Sequence, residues 1–192
     1  MRLLHLSDIH GRVDSERILR AFNELKADII VISGDSESSS LLRDLAGRTR
    51  VFYVSGNMDS ISVVETAREL GMLLDGEVLN MEGILLAGIG RREEHDLNRI
   101  RKEVKGDWIL VSHYPPLDTK ADIASSGRHV GSRIIRNAIN ELKPKACLCG
   151  HIHESPAIFR LNDTVVVNPG PAFMGRAAII DTENWKADFT RI

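Results

Sequence analysis

Five short apolar runs in this chain are each followed, within a few residues, by side chains that can ligate a metal. No other feature constrains the fold as strongly. Residues 3–6 lead to Asp8-Ile9-His10, residues 29–32 to Gly34-Asp35, and Val51–Val54 to Gly56-Asn57-Met58-Asp59. Residues 109–111 lead to Ser112-His113, and residues 146–149 to Gly150-His151-Ile152-His153. Continuous apolar runs of this length, bounded by turn residues, read as buried strands. In an open α/β sheet the carboxyl ends of the strands share one edge, and ligands bind there. Side chains scattered over most of the sequence should therefore converge.

Between these strands the first half alternates with helical patterns. Residues 15–25 place Ile18, Leu19, Phe22 and Leu25 on one face, with Ser15 as N-cap. Residues 40–46 and 61–70 predict two further helices, the second closed by Gly71. Strands are expected at residues 2–6, 28–33 and 51–54. The second half is richer in hairpins. Strands at 77–80 and 84–87 should be joined at Glu82-Gly83, followed by a strand at 107–112 and a long polar loop to about Gly131. A helix over 132–142 ends before Pro144, and strands follow at 146–149, 157–161, 165–168 and 177–181. The fold class predicted is α/β, a two-sheet core flanked by helices in one domain over residues 1–192.

Composition removes several function classes. Lys and Arg total 25 against 27 Asp and Glu, a net charge of −2, so the basic excess of a non-specific nucleic-acid binder is missing. No apolar run approaches the roughly 20 residues that span a bilayer. The first residues lack the pattern of a signal peptide. Cys147 and Cys149 are the two cysteines, which excludes a disulfide framework and suits small core residues on one side of a strand. A soluble cytoplasmic protein is the expectation.

The donor set has its own chemistry. Asp8, Asp35 and Asn57 offer oxygen, whereas His10, His113, His151 and His153 offer imidazole nitrogen. Mixed oxygen and nitrogen donors suit Mn, Fe or Zn and disfavour Mg and Ca. Seven ligands are too many for one ion and suit two ions sharing a bridge. Of the other histidines, His5 lies within a strand and reads as a packed core residue. His95 falls in a charged surface stretch, and His129 in the long polar loop.

The ordered set Asp8-x-His10, Gly34-Asp35, Gly56-Asn57-x-Asp59, His113 and Gly150-His151-x-His153 resembles the calcineurin-like metallophosphoesterase family. The stretches Ser112-His113-Tyr114-Pro115-Pro116, Gly127-Arg128-His129-Val130-Gly131-Ser132 and Val167-Asn168-Pro169-Gly170-Pro171 resemble its small prokaryotic, archaeal-type members. The resemblance implies a four-layer α/β/β/α sandwich and hydrolysis of a phosphate ester. It implies that Asp8, His10 and His153 hold one metal, that Asn57, His113 and His151 hold a second, and that Asp35 bridges them. Two divalent ions (Mn, Fe, Zn, Ni or Co) and a metal-bridging hydroxide are then expected. The partner is a small phosphate-ester substrate, with no nucleic acid and no membrane; a homo-oligomer is left open.

One position departs from the family pattern. Many members carry a histidine after the asparagine of the third motif, and here that residue is Met58, whose thioether cannot act as a general acid. Asp59 beside it fits an N-cap or loop brace as well as catalysis. General acid help is worth about 10²–10⁴-fold, so its loss predicts a preference for good leaving groups, and a phosphodiester is favoured over a monoester. His129 is the substitute acid to consider, with Arg128 and Asn57 against the phosphate. Arg91 and Arg92 could reach the substrate, although a solvated charge pair is the simpler reading. The alternative to an enzyme is a metal-binding scaffold or interaction module of the same fold. A DNA-repair nuclease fits less well, because the chain leaves no room for a DNA-clamping domain.

Overall fold

The computed structural model describes all 192 residues. Three parallel strands, β1 (Arg2–Leu6), β2 (Ile29–Ser33) and β3 (Val51–Val54), form the centre and one edge of a five-stranded sheet. The second sheet runs β4 (Val78–Met81), β5 (Ile84–Ile89), β6 (Trp108–Ser112), β7 (Ala146–Leu148), β9 (Thr164–Asn168) and β8 (Ala157–Leu161) in spatial order. Strands β10 (Arg176–Asp181) and β11 (Lys186–Arg191) return antiparallel to the first sheet beside β1. Helices α1 (Ser15–Glu24), α2 (Ser39–Ala46), α3 (Ile61–Glu69), α4 (Glu93–Ile100) and α5 (Arg133–Leu142) cover the outer faces.

The period of two along each strand sorts side chains between layers. Leu3, Ile29, Val31, Phe52 and Val54 face the second sheet and meet Leu86, Ile109, Val111, Leu148 and Val167. Leu4, Leu6, Ile30, Ile32, Val51 and Tyr53 face outward against α1, α2 and α3. On the second sheet Trp108, Leu110, Cys147 and Cys149 face α4 and α5. Three apolar seams between four layers give the α/β/β/α sandwich that the sequence predicts. Each fully buried Leu or Ile contributes about 1.5–3 kcal/mol to it.

Register carries the strands to one functional edge. Leu6 pairs with Ile32 and Ser33 with Val54, so β1, β2 and β3 end nearly level. Val111 pairs with Leu148, which brings His113 and Gly150 together at the end of the second sheet. There the Gly150 N–H donates to the His113 carbonyl at 3.0 Å.

Two elements and one cap differ from expectation. The charged stretch after Gly90 forms α4, because Leu97 and Ile100 bury themselves against the second sheet. The chain after Asn184 pairs with β10 as edge strand β11. The N-cap of α1 is Asp14, not Ser15; its carboxylate accepts from the Arg17 N–H at 2.8 Å. His5 is fully buried, and its Nε2 lies 2.8 Å from the Ser33 hydroxyl. Burial drives its pKa down to about 3, so the ring is neutral. No helix is long and apolar enough to cross a membrane.

Candidate metal centre

At the common edge of the two sheets the sequence-predicted ligands fall into two groups. Asp8, His10 and His153 present donor atoms within 4.8 Å of one another, as do Asp35, His113 and His151. The Asn57 side-chain oxygen lies 2.9 Å from His113 Nε2 and so belongs with the second group. Asp8 joins the two groups, because its Oδ2 accepts the His151 backbone N–H at 3.0 Å.

Local backbone geometry makes these approaches. Asp8, His10, Asp35 and His151 all adopt positive φ, the left-handed region that non-glycine residues rarely occupy. Such strain persists only where the surroundings over-determine it. Here the Ile9 and His10 N–H groups both donate to the Asp35 carbonyl at 2.9 Å, locking two ligand loops together. Gly34 at φ +95° is required twice over, since a Cβ there would also collide with the His113 ring. A Cβ at Gly150 would strike the Ser7 hydroxyl and press to 2.7 Å from the Asp8 carboxylate.

His113 and His10 are each oriented by a partner on the far side of the ring. His113 Nδ1 lies 2.9 Å from the Ser33 carbonyl, so its Nε2 points at Asn57 and at Asp35 Oδ2, 3.3 Å away. His10 Nδ1 lies 2.5 Å from Glu37, leaving Nε2 directed at His153 Nε2, 3.5 Å away. His153 and His10 also pack edge-on against Phe173. A partner on the outer nitrogen of a metal-binding imidazole fixes its tautomer and raises its basicity. Glu37 orients the His10 ring although nothing in the local sequence marks it.

Asp59 resolves as a brace. It is buried, and its carboxylate accepts from the backbone N–H groups of Asp35, Glu37 and Gly56 at 2.9, 2.9 and 2.7 Å. Ser60, not Asp59, takes the N-cap position of α3. Met58 donates its backbone N–H to Asp35 Oδ1 at 2.8 Å, while its side chain is 57% exposed. Arg91 is tied down rather than simply solvated: its guanidinium donates to the Asp59 carbonyl at 3.1 Å. In the loop before α5, His129 Nδ1 lies 2.7 Å from the buried Asp122 carboxylate, and Arg128 is exposed.

The electrostatics suit cation binding. Burial alone would push the Asp8 carboxyl up, but His153, His113 and Ser7 together hold it below the ordinary range. Burial also opposes ionisation of Asp35, and His113 with the Met58 N–H outweighs it. Burial and the charge of His113 bring His151 down to about 4, so this ring is neutral. Asp8 Oδ1 is buried and accepts no hydrogen bond, although His153 Nε2 sits 3.1 Å from it. An orphaned carboxylate oxygen beside imidazole nitrogens that face one another is costly unless a cation completes the set. The donors present therefore fit divalent metal ions.

Residues 1–183 match the calcineurin-like phosphoesterase superfamily domain, and the chain belongs to that family. An uncharacterized protein of Methanocaldococcus jannaschii is 33% identical over 196 residues, covering 89% of this chain and 88% of its own. A Thermus thermophilus crystal structure superposes with TM-score 0.77 at 17% identity, over 99% of this chain and 98% of that one. A structure described as a novel archaeal phosphodiesterase superposes with TM-score 0.68 at 14% identity, over the full length of both. Fold and family together make this chain a phosphoesterase, and the family implies divalent metals at the two His/Asp groups.

Proposed function

We propose that the chain, acting as one domain over residues 1–192, hydrolyses a small phosphodiester with two divalent ions bound at this edge. The observation that carries the reading is the pairing of two His/Asp groups through the Asp8–His151 contact. Asp8, His10 and His153 would hold one ion; Asn57, His113 and His151 the other; Asp35 would bridge. Mn, Fe, Zn, Ni or Co would suit the mixed donors better than Mg. Two such ions supply Lewis acidity that polarises a phosphoryl oxygen and eases the ionisation of water near neutral pH.

The chain's own residues define the rest. Asn57 ligates without adding negative charge, so Asp8 and Asp35 offset half the charge of two divalent ions and leave the edge attractive to an anionic ester. Asp122 anchors His129 through Nδ1 and raises its pKa, which favours the imidazolium, the form that could donate from Nε2. Arg128 beside it, with Asn57, would hold the phosphoryl oxygens. Met58 in place of an acid favours a diester with a good leaving group. The similar fold described as an archaeal phosphodiesterase agrees with that choice.

A metal-binding scaffold is the second reading, and Met58 is the feature that favours it. Metal analysis with hydrolysis of bis(4-nitrophenyl) phosphate separates the two. Two ions per chain and turnover abolished by Asp35→Asn are expected. No turnover with Mn, Co, Ni or Zn would establish the scaffold. Met58→His should raise the rate on esters with poor leaving groups; unchanged rates with both ions retained would remove Met58 from the leaving-group argument and leave His129 as the acid.

A further inference from the structure

A groove of about 490 Å³ lies beside the third-motif loop, between α3 and α4. Arg68, Arg91, Arg92 and Arg99 all line it. Arg99 is engaged: it donates to Glu77 at 2.6 Å and to the Gly76 carbonyl at 3.0 Å. The other acids of the groove are also satisfied. Asp75 accepts from the Ser55 N–H at 2.9 Å and from its hydroxyl at 2.5 Å. Asp96 accepts from the Gly90 N–H at 3.0 Å and faces His95 Nδ1 at 3.1 Å.

Arg68 and Arg92 are left without a carboxylate within ion-pair distance, whereas Arg91 lies near enough to the Asp75 carboxylate for their charges to interact. Arg91 is held in place by its contact with the Asp59 carbonyl and by its backbone N–H against the Ser55 hydroxyl at 3.4 Å. Arg68 and Arg92 find no acceptor in the chain, although the same groove holds Arg99 in a salt bridge. Four arginines against Asp75, Glu77 and Asp96 leave one positive charge in excess on this wall, and water screens the repulsion between Arg68, Arg91 and Arg92 only in part. An oxyanion relieves that repulsion, and the planar fork of arginine matches phosphate or carboxylate with two parallel hydrogen bonds. Val64, Leu73 and Leu79 supply an apolar floor under the charged rim.

We propose that this groove is an anion-binding site separate from the metal centre, recognising a phosphate-type oxyanion on a small, partly apolar molecule through Arg68 and Arg92. Arg91 forms its fixed wall and links it to Asp59, whose carboxylate braces the Asp35 loop. The site stands whether or not the metal centre prefers a phosphodiester. Its ligand is either a second anionic group on the substrate or a separate phosphorylated molecule.

Phenylphosphonate is the probe, since its carbon–phosphorus bond resists hydrolysis and its ring can use the apolar floor. It is titrated into the full-length, zinc-loaded chain and followed by backbone amide NMR. Saturable shifts are expected at residues 68, 91, 92 and 95, apart from any at 8–10 and 151–153. Arg68→Ala with Arg92→Ala should raise the Kd read at the groove amides by about tenfold or more and leave the metal-loop shifts in place. Both side chains are exposed, and Arg92→Ala alone is the milder variant, expected to weaken binding about threefold. Shifts confined to the metal loops, or groove shifts with an unchanged Kd in both variants, overturn the proposal. Steady-state rates then name the source. A raised KM at unchanged kcat in the double variant, on a phosphodiester that carries a second phosphate and not on bis(4-nitrophenyl) phosphate, places the anion on the substrate; an unchanged KM on both assigns it to a separate ligand.

Discussion

The two ligand groups differ in how they are held. Asp35 and His113 have side chains only 3% and 1% exposed, and backbone groups fix them: the Ser33 carbonyl behind His113, the Met58 N–H on Asp35. His10 and His153 are 15% and 38% exposed, and side chains fix them: Glu37 behind His10, Phe173 against both rings. Backbone is already positioned by the sheets and costs little to keep in place. Side chains must be ordered, and water competes for them. The Asp35–His113 pair is therefore an extension of the core and the His10–His153 pair an open rim, even though Asp8 in the rim group is buried and Asn57 in the other is exposed, and an ion at the rim should exchange first.

Replacing one histidine from each group tests that difference most severely. His113→Ala should lower bis(4-nitrophenyl) phosphate turnover about 10³-fold and destabilise the fold by about 2–4 kcal/mol, because it leaves a cavity and takes one of two side-chain hydrogen bonds from the Ser33 carbonyl, which keeps the Ser7 hydroxyl. His153→Ala should cost turnover about 10–100-fold with little change in stability. Turnover assays and urea unfolding read both, and equal stability losses would erase the distinction. Gly34→Ala should destabilise by about 2 kcal/mol, since it adds a Cβ both at positive φ and into the His113 ring; urea unfolding checks it. Glu37→Gln is subtler. It should weaken one ion of the two about tenfold, with the other unchanged in a chelator competition.

The smallest effect lies outside both groups. Burial opposes ionisation of Asp122, but His129 and the N–H groups of Thr119, Gly131 and Asp118 hold its pKa below the ordinary value. Asp122 in turn raises His129. The carboxylate's contribution is present above its ordinary pKa of about 4 and is lost as pH falls through its lower folded value. The imidazolium's contribution is complete below about pH 6.5 and is lost as pH rises through its higher folded value. The loop should be firmest between those limits. In Asp122→Asn, His129 should titrate near its ordinary pKa by NMR, and loop amides should exchange faster.

The expected ligands converge because each lies just past a continuous apolar run, and such runs stop where the sheet ends. The convergence of Asp8, His10, Asp35, His113, His151 and His153 is therefore legible in the sequence. Helix α4 was hidden because Leu97 and Ile100 are nearly its only apolar residues amid Glu93, Glu94, His95 and Asp96. Strand β11 was hidden because an edge strand buries little: its alternation rests on Ala187 and the half-exposed Phe189 alone. Asp14 and Ser15 are adjacent residues of equal capping ability, and only the backbone decides between them. Glu37 and Asp59 act on groups far along the chain or on bare backbone N–H, contacts that no local pattern records.

His10 and His153 face one another across 143 positions of sequence, and His151 reaches back to Asp8 over the same distance. Neither group can close until both sheets have docked, so capture of the proposed ions should come late in folding. On the ribosome, the first 150 residues can build the β1–β3 unit and its helices yet lack two of the histidines. Metal uptake is thus a readout of completed assembly. A chelator should speed unfolding far more than it slows the early collapse of the first sheet.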